Sequence, residues 1–206
     1  MKSRSQKIYL ASKSPRRREL LRQIGVEFSL LMLREQTARG PEVSESVLPG
    51  EAPADYVWRV AREKALCAQQ TMLWRKLPLH PILAADTTVA IDGRILGKPS
   101  GPSEAMAMLQ SLSGRTHQVL TSICVCHEQE IWQLTQTSDV VFCHLSDETI
   151  RAYCTSAEPY DKAGGYGIQG LAAVFIQEIA GSYSGIMGLP LFETVQLLEQ
   201  AGVHIL

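Results

Sequence analysis

The sequence lacks any long hydrophobic run. None of its 206 residues belongs to a stretch approaching the roughly 20 apolar residues that a transmembrane helix needs. The N-terminus is basic, but the apolar stretch 8–11 that follows is too short for the core of a signal peptide. Apolar residues make up 45% of the chain and charged residues 20%, as in ordinary globular proteins. We therefore expect a cytoplasmic protein without a membrane partner.

Charge of one sign and aromatic residues are also scarce. The formal net charge of −1 gives no overall attraction to nucleic acid or to an anionic membrane. An aromatic content of 6% leaves few rings on which a single-stranded nucleic acid could stack its bases. We expect no nucleic-acid partner, whereas a small anionic ligand needs only a local cluster of cations.

Cysteine is sparse and irregularly spaced. The five cysteines are an odd number and form no Cys-x-x-Cys motif, which argues against both a disulfide framework and a zinc cluster. Cys124 and Cys126 would lie on the same face of a strand. We expect both to be reduced core residues.

The order of the predicted elements indicates an α/β fold with a mixed sheet. A strand over 7–11, a helix capped by Ser14 and ended by Gly25, and a strand over 28–33 would form a βαβ unit with parallel strands. Further helices are predicted over 53–67, 103–112 with Ser103 as its cap, 147–154 and 191–201. Further strands are predicted over 81–85, 89–91, 94–96, 117–126, 132–145 and 174–179, with Asp92-Gly93 as a type I′ hairpin turn. The expected architecture is a mixed, largely antiparallel sheet with flanking helices and a central cleft, formed by one domain over residues 1–206 or by two lobes.

Polar loops are expected to line that cleft. Residues 34–51 form a long polar loop, and loops of that length are often functional. Residues 161–170 contain four glycines and must pass close to another part of the molecule. Residues 181–190 form a third loop before the last helix.

The junction between the first strand and helix has the composition of an anion site. Ser12, Ser14, Arg16 and Arg17 stand at a helix N-terminus, where unpaired N–H groups and the helix dipole attract anions. The alternative is a capped surface helix with a solvated basic first turn. Cations in a first turn oppose the helix dipole, so we favour phosphate binding.

Other polar residues are weaker candidates when each is taken alone. Asp86 follows a predicted buried strand and could bind a metal or activate water, although turn aspartates are common. Lys64 and Lys98 could meet phosphate, but a lone lysine is usually solvated. Gln169, in the glycine-rich loop, has the donor and acceptor groups that could read a base edge, or the loop could be purely structural.

Taken together, several motifs resemble those of the Maf family of nucleotide pyrophosphatases, whose fold is related to that of the inosine triphosphate pyrophosphatases. The matching stretches, which occur in family order along nearly the whole chain, are residues 10–17, 61–65, 85–87, 97–99, 113–119, 161–170 and 188–190. The resemblance implies hydrolysis of nucleoside triphosphates between the α- and β-phosphates. It also implies the inosine triphosphate pyrophosphatase-like form of the α/β fold.

The resemblance assigns roles to individual residues. It implies that Asp86 accepts the proton and that Glu45 is the second carboxylate, with Glu42 as a rival because the loop looks longer and more basic than is usual in the family. The implied cationic residues are Arg16, Arg17, Lys64 and Lys98, and the implied specificity positions are Arg16, Thr87 and Gln169. Residues 166–170, Tyr-Gly-Ile-Gln-Gly, are similar to the subgroup that acts on dTTP and UTP, whereas the subgroup similar to 7-methyl-GTP hydrolases lacks that glutamine.

We therefore predict a metal-assisted mechanism. Asp86 and Glu45 would hold one Mg²⁺ or Mn²⁺ through oxygen ligands. Ser12, Ser14 and the cationic residues would grip the phosphates. The expected partner is the nucleotide substrate, and a homodimer is left open. The rival functions are a pyrophosphatase for a purine or modified nucleotide, such as 7-methyl-GTP, and a non-catalytic regulator of septum formation.

Overall fold

A computed structural model of the chain describes residues 7–32 and 43–205. Half of the predicted polar loop over 34–51, residues 34–42 with the alternative carboxylate Glu42, lies outside these residues. Helices and strands are mixed along the described residues. In order, they are β1 (Ile8–Leu10), α1 (Pro15–Gln23), β2 (Phe28–Leu30), α2 (Pro53–Trp74), β3 (Ile82–Ile91), β4 (Arg94–Leu96), α3 (Pro102–Leu112), β5 (Thr116–His127), β6 (Glu130–Phe142), α4 (Asp147–Cys154), β7 (Ile176–Ala180), α5 (Tyr183–Ile186) and α6 (Leu191–Gln200).

The strands form a seven-stranded sheet in the order β2-β1-β3-β5-β6-β7, with β4 paired to β3. Strand β1 is parallel to both β2 and β3. The pairs β3–β4, β3–β5, β5–β6 and β6–β7 are antiparallel. The predicted α/β class, with a mixed and largely antiparallel sheet and flanking helices, is confirmed.

The first βαβ unit forms as its sequence predicts. The Ser14 hydroxyl accepts a hydrogen bond from the Arg17 backbone N–H at 3.4 Å, and Pro15 occupies the first helical position. Leu20 and Leu21 are the buried residues of α1, and Gly25 follows the helix with a φ of +72°. These local signals therefore place the N-terminus of α1, called the mouth of α1 below, directly after the end of β1.

Strand β3 differs from the prediction in a way that matters for the site. The sequence predicted a strand ending at residue 85 and a separate strand starting at 89, but β3 runs unbroken from 82 to 91. Asp86 pairs with Ser122 of β5, and Thr87 pairs with Thr121. The long antiparallel partner and the β-branched threonines keep the strand extended. Asp86 therefore lies in the middle of a strand, not after its end.

Two helix predictions were too short or wrongly capped. Helix α2 continues to residue 74 rather than 67, because buried Ala68 and Met72 extend its apolar face and no Gly or Pro interrupts it. Helix α3 starts at Pro102 with Gly101 at the cap position, so the prediction that Ser103 caps it was wrong. Proline suits the first helical turn, where its missing N–H costs no hydrogen bond.

Smaller corrections concern strand ends and one loop. Strand β2 ends at residue 30 rather than 33, and β6 covers 130–142 rather than 132–145. Strand β7 covers 176–180 rather than 174–179, because residues 171–175 form a 3₁₀ turn. The predicted loop over 181–190 contains the short helix α5, whose cap is the Ser182 hydroxyl.

Buried side chains fill both faces of the sheet. Cys124 and Cys126 are buried on one face with Ala61, Ala65 and Ala68 of α2, and both are free thiols, as predicted. The opposite face carries Leu83 and Ile123, which pack with residues of α1 and α6. Within the described residues, no helix is both long and apolar enough to cross a membrane.

Candidate active site

A cleft of about 1430 Å³ opens where the middle of β3 meets the N-terminus of α1 and the glycine-rich loop. The structure brings to this one cleft every side chain that the sequence proposed for the site. They are Ser12, Ser14, Arg16, Arg17, Glu45, Lys64, Asp86, Thr87, Lys98 and Gln169. Their positions are thus established together, although their individual roles stay predictions.

Two carboxylates meet at one side of the cleft. Asp86, on β3, is only 8% exposed. The Nζ atom of Lys64, on α2, lies 2.8 Å from Asp86 Oδ1 and 2.6 Å from Glu45 Oε1. Because one ammonium contacts both acids, the two oxygens lie within about 5.5 Å of each other. The structure thus joins acidic residues from distant parts of the chain around a single positive charge.

Glu45 is held in its ionised form. Burial alone would raise the pKa of its carboxyl group, but the charge and hydrogen bond of Lys64 outweigh burial and leave the pKa below its ordinary value. The charge of Lys98 acts in the same direction. The Tyr56 hydroxyl donates to the Glu45 backbone carbonyl at 3.0 Å, which fixes this segment over α2.

The carboxylate pair suits a hard divalent cation. Mg²⁺ and Mn²⁺ prefer oxygen ligands, and Mg²⁺ is commonly held by one or two carboxylates, with water and substrate phosphates completing its shell. Across residues 7–32 and 43–205, no group of three or more His, Cys, Asp and Glu side chains is placed to hold a metal. The two carboxylates match the one or two acidic ligands with which proteins commonly hold Mg²⁺.

Arg17 connects three segments of the cleft wall. Its Nε donates to the Gly188 carbonyl at 2.7 Å, and its Nη1 donates to the Ala85 carbonyl at 2.8 Å. Nη2 donates to Thr87 Oγ1 at 3.0 Å, and Nη1 also reaches Ser12 Oγ at 3.4 Å. Burial lowers the pKa of Arg17, and the negative charge of Asp86 opposes that shift. Arg17 thus places a cation behind the N-terminus of α1 and bonds to both neighbours of Asp86, the Ala85 carbonyl and the Thr87 hydroxyl.

The hydroxyl of Thr87 belongs to a chain of hydrogen bonds. It accepts from Arg17 and lies 2.9 Å from Thr121 Oγ1, which donates to the Gly185 carbonyl at 2.7 Å. Thr121 is fully buried. The position of Thr87 is therefore set by Thr121 of strand β5 and, through Thr121, by the short helix α5.

The other cationic residues stand nearer to solvent. Lys98 is exposed on the turn after β4, and Arg16 is partly buried in the first turn of α1. Burial would raise the pKa of Asp161, but the hydrogen bond and charge of Lys162, with a smaller contribution from the charge of Arg16, lower it below its ordinary value. Together with Ser12 and Ser14, Arg16 and Lys98 face the space in front of the helix N-terminus, where an anion would bind.

The glycine-rich loop passes close to the sheet, as its composition predicted. Gly164 has a φ of +70°, and a Cβ atom there would lie 3.0 Å from the side chain of Val89 in β3. Its N–H donates to the Gly97 carbonyl at 3.0 Å. Gln169, at the end of this loop, is exposed at the rim of the cleft.

Sequence reasoning missed three residues that shape the cleft: Tyr56, Thr121 and Glu158. Tyr56 and Thr121 act through long-range hydrogen bonds to the segments of Glu45 and Thr87. The Glu158 carboxylate accepts from backbone N–H groups of the glycine-rich region. No local pattern reveals such contacts, because the partners are backbone atoms or residues far away in the chain.

Comparison with known proteins places these residues in a family context. The model of the family described as Maf-like protein matches residues 7–201. The dTTP/UTP pyrophosphatase of Aromatoleum aromaticum is 53% identical over 203 residues, which cover 98% of each chain. That of Nitrosomonas europaea is 50% identical over 198 residues, which cover 96% of each chain. The solved structure of the Staphylococcus aureus Ham1 protein shows a TM-score of 0.45 and 15% identity, with 66% of this chain and 72% of that chain covered.

Proposed function

Because this chain belongs to the Maf-like protein family, we propose that it hydrolyses dTTP and UTP to the nucleoside monophosphate and pyrophosphate. The observation that carries the proposal is the meeting of Asp86 and Glu45 with the basic mouth of α1 in one cleft. Carboxylates supply acid–base and metal chemistry there, and the helix mouth supplies an anion site. Hydrolysis of a phosphoanhydride bond can use the first to activate water and the second to hold the phosphates.

Asp86 is the proposed general base. Its side chain is only 8% exposed, projects from a rigid strand and faces the cleft. It would accept a proton from the water that attacks the α-phosphorus, and pyrophosphate would leave from the opposite side. Since a strand in the middle of a sheet moves little, the base keeps its orientation through the reaction.

Asp86 and Glu45 would hold the divalent cation, which when bound neutralises charge on the phosphate oxygens. Lys64, which contacts both acids, would add its positive charge on the same side of the cleft. Lys98 faces that region from the turn after β4. These residues would stabilise the charge that develops on the leaving pyrophosphate.

The phosphate chain would bind at the mouth of α1. Ser12, Ser14 and Arg16 would contact phosphate oxygens directly, since they stand at the helix N-terminus. Arg17 would act with them mainly through its charge, because most of its N–H groups already bond to protein oxygens. This arrangement leaves the nucleoside directed toward the rim of the cleft.

The base would be read at that rim by Gln169, with Thr87 and Arg16 as further specificity positions. A carboxamide offers both a donor and an acceptor, which matches the alternating groups on a uracil or thymine edge. The names of the compared relatives support pyrimidine triphosphates as the substrates.

We further propose that residues 1–206 form one domain that works on the cytoplasmic nucleotide pool. Strands from both halves of the described chain join one sheet around the cleft, which supports a single unit. The nucleotide is the proposed partner, nucleic acid is not, and a homodimer is compatible with this arrangement.

Pyrophosphate release across a panel of triphosphates tests the proposal. dTTP and UTP should be the best substrates, activity should require Mg²⁺ or Mn²⁺, and EDTA should abolish it. In ¹⁸O-labelled water, the label should enter the monophosphate because water attacks the α-phosphorus. Preference for GTP or 7-methyl-GTP would favour the rival substrate class, and nucleotide binding without pyrophosphate release would favour a regulatory protein.

A further inference from the structure

The carboxylate of Glu158 spans the end of the glycine-rich loop. Its Oε2 accepts a hydrogen bond from the Leu171 backbone N–H at 2.8 Å, and its Oε1 accepts from the Ala172 N–H at 3.2 Å. Both N–H groups come directly after the segment that presents Gln169. One side chain thus satisfies two consecutive backbone donors where the chain leaves the rim of the cleft.

Glu158 is itself fixed from behind. The Tyr153 hydroxyl, on α4, donates to Glu158 Oε1 at 3.0 Å. Burial and this hydrogen bond raise the pKa of Tyr153, so the phenol remains a donor at neutral pH. The Lys162 ammonium donates to the Glu158 backbone carbonyl at 2.9 Å. Neither the carboxylate nor its backbone is free to follow a moving loop.

The loop approaches this anchor more closely than a side chain would allow. A Cβ atom at Gly170 would overlap the Glu158 carboxylate, and one at Gly167 would lie 2.7 Å from Lys162 Cε. Gly170 has a φ of −113°, which any residue can adopt, so the glycine is required for contact and not for its backbone angles. Gly167 and Gly170, which flank Ile168 and Gln169, are therefore in close contact with the segment 158–162.

We propose that Glu158 is a positioning residue for base selection, holding the backbone after Gln169 so that its carboxamide meets the pyrimidine edge in one orientation. The proposal rests on the proposed function, since it takes Gln169 as the group that reads the base. A side chain that is exposed at a rim would otherwise lose much of its discrimination to rotational freedom. Glu158 contributes by removing backbone freedom, without touching the substrate.

The test compares Glu158→Ala with Glu158→Gln, and uses Glu148→Ala, an exposed acidic position on α4, as the matched control. The first measurement is the ratio of kcat/KM for UTP to that for CTP. Glu158→Ala should reduce this ratio at least tenfold, mainly by raising KM for UTP. Glu158→Gln should recover part of the ratio because its carbonyl oxygen can still accept one N–H, and Glu148→Ala should match the wild type.

The second measurement is hydrogen exchange at the Leu171 and Ala172 amides. Exchange should accelerate at least tenfold in Glu158→Ala, while amides in β5 remain protected as in the wild type. Should Glu158→Ala not fold, Glu158→Gln takes its place, because it keeps the size of the side chain and one oxygen that can accept an N–H. Glu158→Gln should then lower the ratio of kcat/KM for UTP to that for CTP below the wild-type ratio.

Two results would overturn the proposal. One is an unchanged ratio of UTP to CTP hydrolysis in a variant whose two amides have lost protection, because the anchor would then have no effect on selection. The other is hydrogen exchange at the Leu171 and Ala172 amides that stays unchanged in Glu158→Ala, because Glu158 would then not hold this backbone. A wild type that releases no pyrophosphate from any triphosphate would instead refute the proposed function, and the exchange measurement tells the two failures apart.

Discussion

Replacing Arg17 with methionine removes a cation that bonds to three separate segments of the cleft wall. The substitution deletes bonds to the carbonyls of Gly188 and Ala85 and to the hydroxyls of Ser12 and Thr87. Hydroxyls can turn to other partners, but a carbonyl oxygen left without a donor costs about 1–3 kcal/mol. The two carbonyls together therefore predict a loss of about 2–6 kcal/mol in the free energy of unfolding.

Urea unfolding of Arg17→Met and of Arg16→Met measures this difference directly. In a protein of this size, the predicted loss for Arg17→Met should lower Tm by about 10 °C. Arg16 stands next to it and faces the cleft, so Arg16→Met should stay within about 0.5 kcal/mol of the wild type while KM for the nucleotide rises. If both variants unfold like the wild type and both raise KM, Arg17 is a phosphate ligand and its protein contacts contribute nothing to stability.

Two further predictions concern charge. Lys64→Met should lower turnover and raise the pKa of Glu45, because the Lys64 ammonium is the strongest influence that lowers this pKa. NMR titration of the carboxyl groups measures the pKa of Glu45. An unchanged pKa would contradict the ion pair. Burial lowers the pKa of His117 to about 4 from an ordinary 6.5, so the unfolded chain binds the proton more readily between these values. The free energy of unfolding should therefore fall as the pH drops from about 6.5 to 4, and the wild type should lose about 3 kcal/mol more than His117→Gln does. Equal losses in the two proteins would refute this assignment.

Local chemistry allowed the sequence to predict the start of α1 and the hairpin after β3. Ser14 followed by Pro15 is a complete helix-start signal, and Asp92-Gly93 adopts the two positive φ values, +51° and +72°, that a type I′ turn needs. The break predicted near residue 85 failed because pairing with β5, more than thirty residues later, decides the conformation of Asp86 and Thr87. Tertiary pairing outweighed the local pattern there.

The composition of the site could be predicted, but its connections could not. Motif resemblance selected side chains that the structure does bring to one cleft. The connections depend on how distant segments pack. Arg17 bonds to Gly188, 171 positions later, and one lysine contacts both Glu45 and Asp86. Hydrogen bonds between a side chain and the backbone of a distant segment carry no sequence signal, unlike helix caps, so the contacts of Arg17 and Glu158 had to come from the structure.

The central claim is tested most directly by the turnover of dTTP and UTP in Asp86→Asn, with Asp92→Asn as the control variant. Asparagine keeps the size of Asp86 but cannot accept the proton, so pyrophosphate release should fall about a thousandfold, or about 4 kcal/mol in activation free energy, in a protein that still folds. Asp92 lies exposed in the hairpin turn, where asparagine also tolerates a positive φ, and that variant should retain wild-type turnover. A folded Asp86→Asn protein that releases pyrophosphate within tenfold of the wild-type rate would contradict the claim that this carboxylate is the base of the reaction.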